Sequence, residues 1–492
     1  MTALSVVQAR RLASATLLPG FEGTTLPEWL ADRLRSGLAG VCLFGGNIVS
    51  RAQLAELVAS IRAASPRAII AIDEEGGDVT RLYYDVGSPY PGNAVLGRLD
   101  DEQVTEHVAR IVGWELRRVG IDLDLAPDAD VNSNPRNPVI GTRSFGADPH
   151  LVARHTAAWV RGLQSTGVAA CVKHFPGHGD TELDSHLALP VVRGAIEQLR
   201  ERELVPFAAA VSAGTRTVMT SHILLPDVDP DHVATFSNRV LQGLLRDELG
   251  FGGVVVSDAL DMAGASAESG IPLAAARALA GGSDLLCIGT DNTDEQLDEI
   301  ETAVADAVAS GALTDARLAD AAARVAALAT ESAELAAQLP VPEWVTLDDE
   351  PQFDPALLRS AIDVLPSTIV APDRVLVVLQ TVANIAVGVA PWGPQAAGAE
   401  VLVVTEAEGA EAVVHSLPEG AQAVIVGQGI HRHDWTRAVA ERVRAERPGT
   451  IVVEMGWPDA SALAADLTTW GASRAMGGAL VERLAELEGD VA

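Results

Sequence analysis

The chain has 492 residues, 48% of them apolar, and a formal net charge of −32. Such a length suggests two or more domains with ample cores. The charge sets the chain against nucleic acid and anionic membrane surfaces, both of which would repel it. Solubility or a salty habitat accounts for the acidity. Cys42, Cys171 and Cys287 each sit inside an apolar strand-like run. Buried free thiols are therefore expected, not disulfides or metal ligands. The stretch Met1 to Pro19 has no continuous apolar core behind a positive start, so no signal peptide is read there. No run approaches the roughly 18 apolar residues of a membrane helix. A cytoplasmic protein is the expectation.

Residues 1–340 alternate strand and helix signals. Short apolar runs fall at Ala15–Leu18, Gly40–Phe44, Ala68–Ile72, Ile121–Ala126, Ala169–Val172, Thr217–Thr220, Gly253–Val256 and Asp284–Ile288. Most are unalternating and rich in Val, Ile and Leu, as strands buried on both faces are. Between them lie helical patterns. One is Val104, Val108, Ile111, Val112 and Leu116, with helical spacing. Others cover roughly 52–63, 150–164, 194–212 and 238–249. Eight strand–helix units predict a (β/α)8 barrel of the TIM type. An open doubly wound sheet is the competing fold, but no GxGxxG follows the first strand. A long alanine-rich helix over about 315–338 closes this part. The proline-rich acidic stretch 339–353 reads as a linker. From 354 to 492 a second, smaller α/β pattern begins, with strands at Val375–Leu379, Val401–Thr405, Ala423–Val426 and Thr450–Glu454. It predicts a sandwich domain behind the barrel of residues 1–338.

In such a barrel, chemistry sits at the carboxyl ends of the strands. The third run ends in Asp73-Glu74-Glu75-Gly76-Gly77. The fourth leads to Asp128 and a long loop holding Arg143. The sixth ends in Ser221-His222 and the seventh in Ser257-Asp258. The fifth is the most telling: Lys173-His174-Phe175-Pro176-Gly177-His178-Gly179-Asp180, continuing to Asp184-Ser185-His186. Lys173 is the single lysine among 35 basic residues, which points to a need for an ammonium there. A ring of carboxylates with a few basic groups suits a many-hydroxyl substrate. Asp258, at the end of a buried strand, is placed either as a nucleophile or as the N-cap of the next helix. Asp184, two residues from His186, can orient that imidazole, or both can be plain loop residues. His174, His178 and His186 with Asp180 or Asp184 could ligate zinc, but the spacing matches no metal motif. No metal and no organic cofactor is expected.

The same residues resemble the family 3 glycoside hydrolases, in particular the bacterial β-N-acetylglucosaminidases, over about 330 residues in order. The segment 173–186 with its Asp-Ser-His end resembles that subgroup's signature. Ser257-Asp258-Ala259-Leu260-Asp261-Met262 resembles the nucleophile motif, Asp73 in Asp-Glu-Glu-Gly-Gly the substrate-binding aspartate, and Gly141 to Gly146 the arginine loop. The resemblance implies that Asp258 attacks the anomeric carbon, His186 protonates the leaving oxygen and Asp184 orients His186. It implies that Asp73, Arg81, Arg143, Lys173 and His174 hold the sugar. Retaining glycosidases need a nucleophile on one face of the bond and an acid on the other. An imidazole is neutral as a base and repels an incoming anion less than a carboxylate does, so phosphate is an alternative acceptor to water.

The implied activity is release of β-linked N-acetylglucosamine from peptidoglycan or chitin fragments, muropeptides among them. A β-glucosidase, an N-acetylglucosamine phosphorylase and a non-catalytic sugar-binding protein are the alternatives. The sequence departs from the pattern at Asp78, where the family's Gly-Gly-Arg reads Gly-Gly-Asp. Many single-domain members lack anything like residues 354–492. Within those residues, His431, His433 and Asp434 read as an ordinary polar loop.

Overall fold

The computed structural model describes residues 4–181, 189–193, 195–267, 269–381, 385–406, 409–459 and 461–489. Among these, the first part of the chain holds β1 Leu17–Pro19, β2 Gly40–Leu43, β3 Ile69–Ile72, β4 Leu123–Asp124, β5 Ala169–Phe175, β6 Thr217–Thr220, β7 Leu224–Leu225, β8 Asp229–Val233, β9 Val254–Ser257 and β10 Leu285–Gly289. Eight of them form one parallel sheet in the order β1-β10-β9-β6-β5-β4-β3-β2. Strands that are neighbours in sequence are neighbours in space, apart from the hairpin β7–β8, which is antiparallel and follows β6. The sheet curls into a nearly closed α/β barrel, the fold expected from the alternation of elements. The hairpin escapes sequence reading because β8 exposes Pro230, Asp231 and His232 in a row, which mimics a loop.

The strand cores alternate. Leu18, Cys42, Ile69, Ala71, Leu123, Ala169, Cys171, Met219, Val254, Val256, Leu285 and Cys287 pack into a single cluster. They are alternate residues of their strands and therefore point to the barrel interior. All three cysteines lie in this cluster, buried and free. Burial pushes the Cys171 thiol up to about 12.

The helix Glu102–Val119 follows its apolar stripe: Val108, Ile111, Val112 and Leu116 are buried. Asp101 caps it by accepting from Gln103 N and Val104 N, and Gly120 ends it at φ 90°. Two helical segments differ in detail from the sequence reading. The span 194–212 holds two helices, Ile196–Glu201 and Leu204–Ser212, with Arg202 and Glu203 at the break. Arg239–Glu248 winds as a π-helix. No helix among the described residues is long and apolar enough to cross a membrane.

The chain divides into two compact units. The first comprises the residues up to Glu75, Asp101–Ile140 and Gly146–Asp349. The second comprises Gly76–Asp100, Gly141–Phe145 and the residues from Glu350 on. The second unit contains a six-stranded sheet of β11 Asp363–Val364, β12 Arg374–Leu379, β13 Leu402–Val404, β14 Gln422–Gly427, β15 Ile451–Glu454 and β16 Leu467–Thr468. Its order is β11-β16-β15-β14-β12-β13, parallel except for the edge pair β11–β16. One face, with Val378, Val424, Val426, Ile451 and Val453, packs on Met476 and Leu480. The other, with Val377, Ala423, Ile425 and Val452, packs on Val413, Val439 and Val443. A sheet covered on both faces is a three-layer sandwich.

Candidate active site

Period-two register builds the site. On β5 the inward series Ala169, Cys171 continues to Lys173. On β3 the series Ile69, Ala71 continues to Asp73. On β9 the series Val254, Val256 continues to Asp258. The last inward residue of each strand faces the carboxyl-terminal mouth of the barrel. Strand register thus delivers one ammonium and two carboxylates to one end of the first unit.

Lys173 is 2% exposed. Its Nζ lies 2.7 Å from Asp73 Oδ1 and 2.7 Å from Glu75 Oε1. An isolated buried ammonium would shed its proton, and two carboxylates hold it charged. Glu75 is buried, while Asp73 keeps part of its surface open. Beneath them, Asp124 is fully buried and accepts the Glu74 N–H at 2.9 Å. Burial pushes its carboxyl well above the carboxylate range, against the pull of the Glu74 N–H that it accepts.

Asp258 is half-buried, and its Oδ1 accepts the Ala259 N–H at 2.8 Å. The Ala259 carbonyl lies 3.0 Å from His222 Nε2. A carbonyl only accepts, so that nitrogen carries a proton. His222 Nδ1 is 2.8 Å from Thr235 Oγ1. This buried imidazole braces the backbone just after Asp258.

The loop leaving β5 is held from below. The Lys173–His174 and Phe175–Pro176 peptide bonds are cis. Asp130, fully buried, lies with Oδ2 2.7 Å from His174 Nδ1. Its Oδ1 accepts the backbone N–H of His178 at 2.5 Å and that of His174 at 3.4 Å. Gly177 sits at φ 130°, and a Cβ there would lie 2.7 Å from that of Glu203. At Gly179 a Cβ would lie 1.8 Å from the Val131 carbonyl oxygen, so only glycine lets the loop pass. Arg202 bridges Asp180 at 2.6 Å and Glu203 at 2.5 Å. Burial raises the Glu203 carboxyl to about 7, against the pull of Arg202. Burial also holds the His178 imidazole down to about 4, so this ring is neutral, with Nδ1 2.8 Å from Thr181 Oγ1.

Asp73 and Lys173 are therefore in contact, His174 follows Lys173 on β5, and Asp258 follows the last residue of β9 at the same end of the barrel. Asp184 and His186 lie outside the described residues. Arg81 and Arg143 belong to the second unit. There, Arg81 Nη2 donates to the Ala386 carbonyl at 2.8 Å, and its guanidinium stacks over Tyr84. The Arg143 carbonyl accepts from Asn93 Nδ2 at 2.6 Å. The departure at Asp78 has a local use: its carboxylate accepts the Thr142 hydroxyl at 2.7 Å and the Ala472 N–H at 2.8 Å. It anchors the arginine loop within the second unit.

Asp128, Asp130 and His174 place three potential ligand atoms within 4.8 Å of one another. His174 Nδ1 and Asp130 Oδ2, 2.7 Å apart, stand at hydrogen-bond distance. Sequence reading reached Asp128 and passed over Asp130. The signal available was the Asp-x-Asp spacing after β4, a pattern that loops carry often. Glu75 lies in the Asp-Glu-Glu-Gly-Gly run after β3, where nothing in the sequence sets it apart from Glu74.

The description "Glycosyl hydrolase family 3 N terminal domain" matches residues 22–328. A β-hexosaminidase of Stenotrophomonas maltophilia (strain K279a) is 40% identical over 280 residues, covering 55% of this chain and 82% of that one. The solved structure of a glycoside hydrolase family 3 β-N-acetylglucosaminidase from Paenibacillus sp. str. FPU-7 superposes with a TM-score of 0.87 at 32% identity, covering 100% of this chain and 98% of that one. NagZ from Neisseria gonorrhoeae, solved in complex with N-trifluoroacetyl-D-glucosamine, covers 64% of this chain and 98% of its own, at 33% identity and a TM-score of 0.54.

Proposed function

Because the chain belongs to glycosyl hydrolase family 3, we propose that its β-N-acetylhexosaminidase activity runs as a retaining exo-cleavage of terminal β-linked N-acetylglucosamine. The observation that supports this most is the placement of Asp258. It ends the inward series of β9, at the same barrel mouth as the Asp73–Lys173–Glu75 trio and His174.

In the first step the Asp258 carboxylate attacks the anomeric carbon. The glycosidic C–O bond breaks, and His186 gives a proton to the leaving oxygen. In the second step neutral His186 takes a proton from water, the water oxygen attacks the anomeric carbon, and Asp258 leaves as a carboxylate. Asp184 orients His186. Asp73, Lys173 and His174 bind sugar hydroxyls, and Arg81 and Arg143 keep the sugar-binding role implied by the resemblance. A charged trio suits hydroxyl-rich ligands, because ionised partners make the stronger hydrogen bonds. The substrates are N-acetylglucosamine-terminated fragments of peptidoglycan or chitin.

Proton NMR of the product tests the mechanism. A retaining enzyme releases β-N-acetylglucosamine first, with the α-anomer growing in by mutarotation. Initial release of the α-anomer would overturn it. The same reaction in phosphate buffer separates the acceptors: sugar 1-phosphate as the main product would move the assignment to a phosphorylase.

A further inference from the structure

Asp130 has no role in the steps above, yet it is among the most constrained side chains at the barrel mouth. It is fully buried. Its backbone is fixed twice: Asp130 N donates to Asp128 Oδ1 at 2.9 Å, and the preceding Ala129 N donates to the Lys173 carbonyl at 2.6 Å. The carboxylate divides its two oxygens between two tasks. Oδ1 takes backbone N–H groups of His174 and His178, which sets the path of the loop. Oδ2 takes the His174 ring at Nδ1, 2.7 Å away. A carboxylate in this state only accepts, so the proton of that bond sits on Nδ1. The other ring nitrogen, Nε2, is then the one left with a lone pair in the neutral imidazole.

We propose that Asp130 is a positioning residue for the reaction: it fixes His174 as the Nδ1–H tautomer, so that Nε2 accepts a hydrogen bond from a sugar hydroxyl. The proposal rests on the reading of His174 as a sugar-binding group. It extends that reading by naming which nitrogen faces the ligand and what determines it. Third groups that orient imidazoles act in this way, and an amide in their place gives the wrong tautomer.

Asp130→Asn separates the two tasks. The amide oxygen still serves the backbone N–H groups, but the amide NH2 faces Nδ1. His174 must then accept at Nδ1 and carry its proton on Nε2. With p-nitrophenyl β-N-acetylglucosaminide, kcat/KM is expected to fall by about 10- to 100-fold, while the melting temperature shifts little. Nitrogen-15 NMR of the His174 ring, assigned with His174→Gln, is expected to show protonated Nδ1 and unprotonated Nε2 in the wild type. The pattern reverses in Asp130→Asn. In a His174→Gln background the further cost of Asp130→Asn is expected to shrink to under about three-fold, because residues acting through one another are not additive.

The proposal is overturned by a wild-type spectrum with unprotonated Nδ1, which needs no variant to fold. It is also overturned if Asp130→Asn lowers the melting temperature while kcat/KM stays unchanged, or if its kinetic cost is undiminished beside His174→Gln. If the wild type cleaves no N-acetylglucosaminide at all, the functional reading fails, and the ring spectrum still reports on Asp130 separately.

Discussion

Asp130 in the barrel unit and Glu454 in the second unit solve the same local problem. Each is a buried carboxylate that catches the backbone of a loop near the carboxyl end of a parallel strand. Glu454 Oε1 accepts Gly429 N at 2.6 Å and Gly456 N at 2.7 Å, and Oε2 accepts Ile430 N at 2.9 Å. Both of its oxygens are committed to amides. His431 stands beside it with Nδ1 at 3.6 Å, beyond hydrogen-bond range. Asp130 instead gathers its amides on one oxygen and keeps the other for an imidazole at 2.7 Å. The same anchoring device therefore only stiffens a loop in one unit, and in the other it also orients a ring. The surroundings differ too. At the barrel mouth Lys173 with Asp73 and Glu75 adds a charged cluster, and Asp258 stands at the end of β9.

Removing the charge that couples the barrel end should have the largest effect. Lys173→Met leaves Asp73 and Glu75 without their shared ammonium, and breaking a buried pair costs about 3–5 kcal/mol. Chemical denaturation should show a loss of that order, with activity reduced to background. A loss under about 1 kcal/mol would mean that the trio is effectively solvated.

Glu454→Gln probes the purely structural anchor. One acceptor oxygen remains and the other becomes a donor facing an N–H, a mismatch of about 1–3 kcal/mol. Urea melts should show that loss, while kcat/KM stays within about three-fold of wild type. A large kinetic cost would erase the contrast with Asp130.

His178 sets an acid limit on the barrel loop. Its folded value of about 4 lies below the ordinary 6.5. A depressed folded value gives stability that is present above pH 6.5 and lost as pH falls toward 4. The whole effect is worth roughly 3 kcal/mol at 1.4 kcal/mol per unit. Thermal melts from pH 7 to pH 4 should show His178→Gln with a flatter acid limb than the wild type.

The smallest effect is expected at Asp124. Its carboxyl is raised well above its ordinary range, so its stabilisation is fully present at low pH and drains away as pH rises. Asp124→Asn fixes the neutral form and keeps an oxygen for the Glu74 N–H. Stability at pH 8 should equal or exceed wild type by up to about 1 kcal/mol. A clear loss in the melting curve would indicate that Asp124 works as a carboxylate.

The barrel was legible because its strands are buried on both faces. Runs such as Ala169–Val172 and Val254–Val256 are apolar without alternation, and glycines and polar loops set them apart. The ends of those runs carried Asp73, Lys173 and Asp258 in plain view, since period-two register extends past the apolar residues. What stayed hidden depended on contacts across the chain. Asp130 looks like any loop aspartate until the fold sets it under His174, 44 residues later. No shift in composition marks Gly76–Asp100 or Gly141–Phe145 as parts of the second unit. The hairpin β7–β8 was invisible because its second strand is mostly polar and exposed. The π-helix at Arg239–Glu248 has an apolar pattern that an α-helix would share.

The most direct measurement is steady-state cleavage of p-nitrophenyl β-N-acetylglucosaminide beside p-nitrophenyl β-glucoside, for the wild type and for Asp258→Asn. The account predicts that the acetamido substrate is cleaved much faster and that Asp258→Asn loses at least about a thousand-fold in kcat, as loss of a covalent nucleophile does. Equal cleavage of both substrates, or full activity in Asp258→Asn, would contradict it.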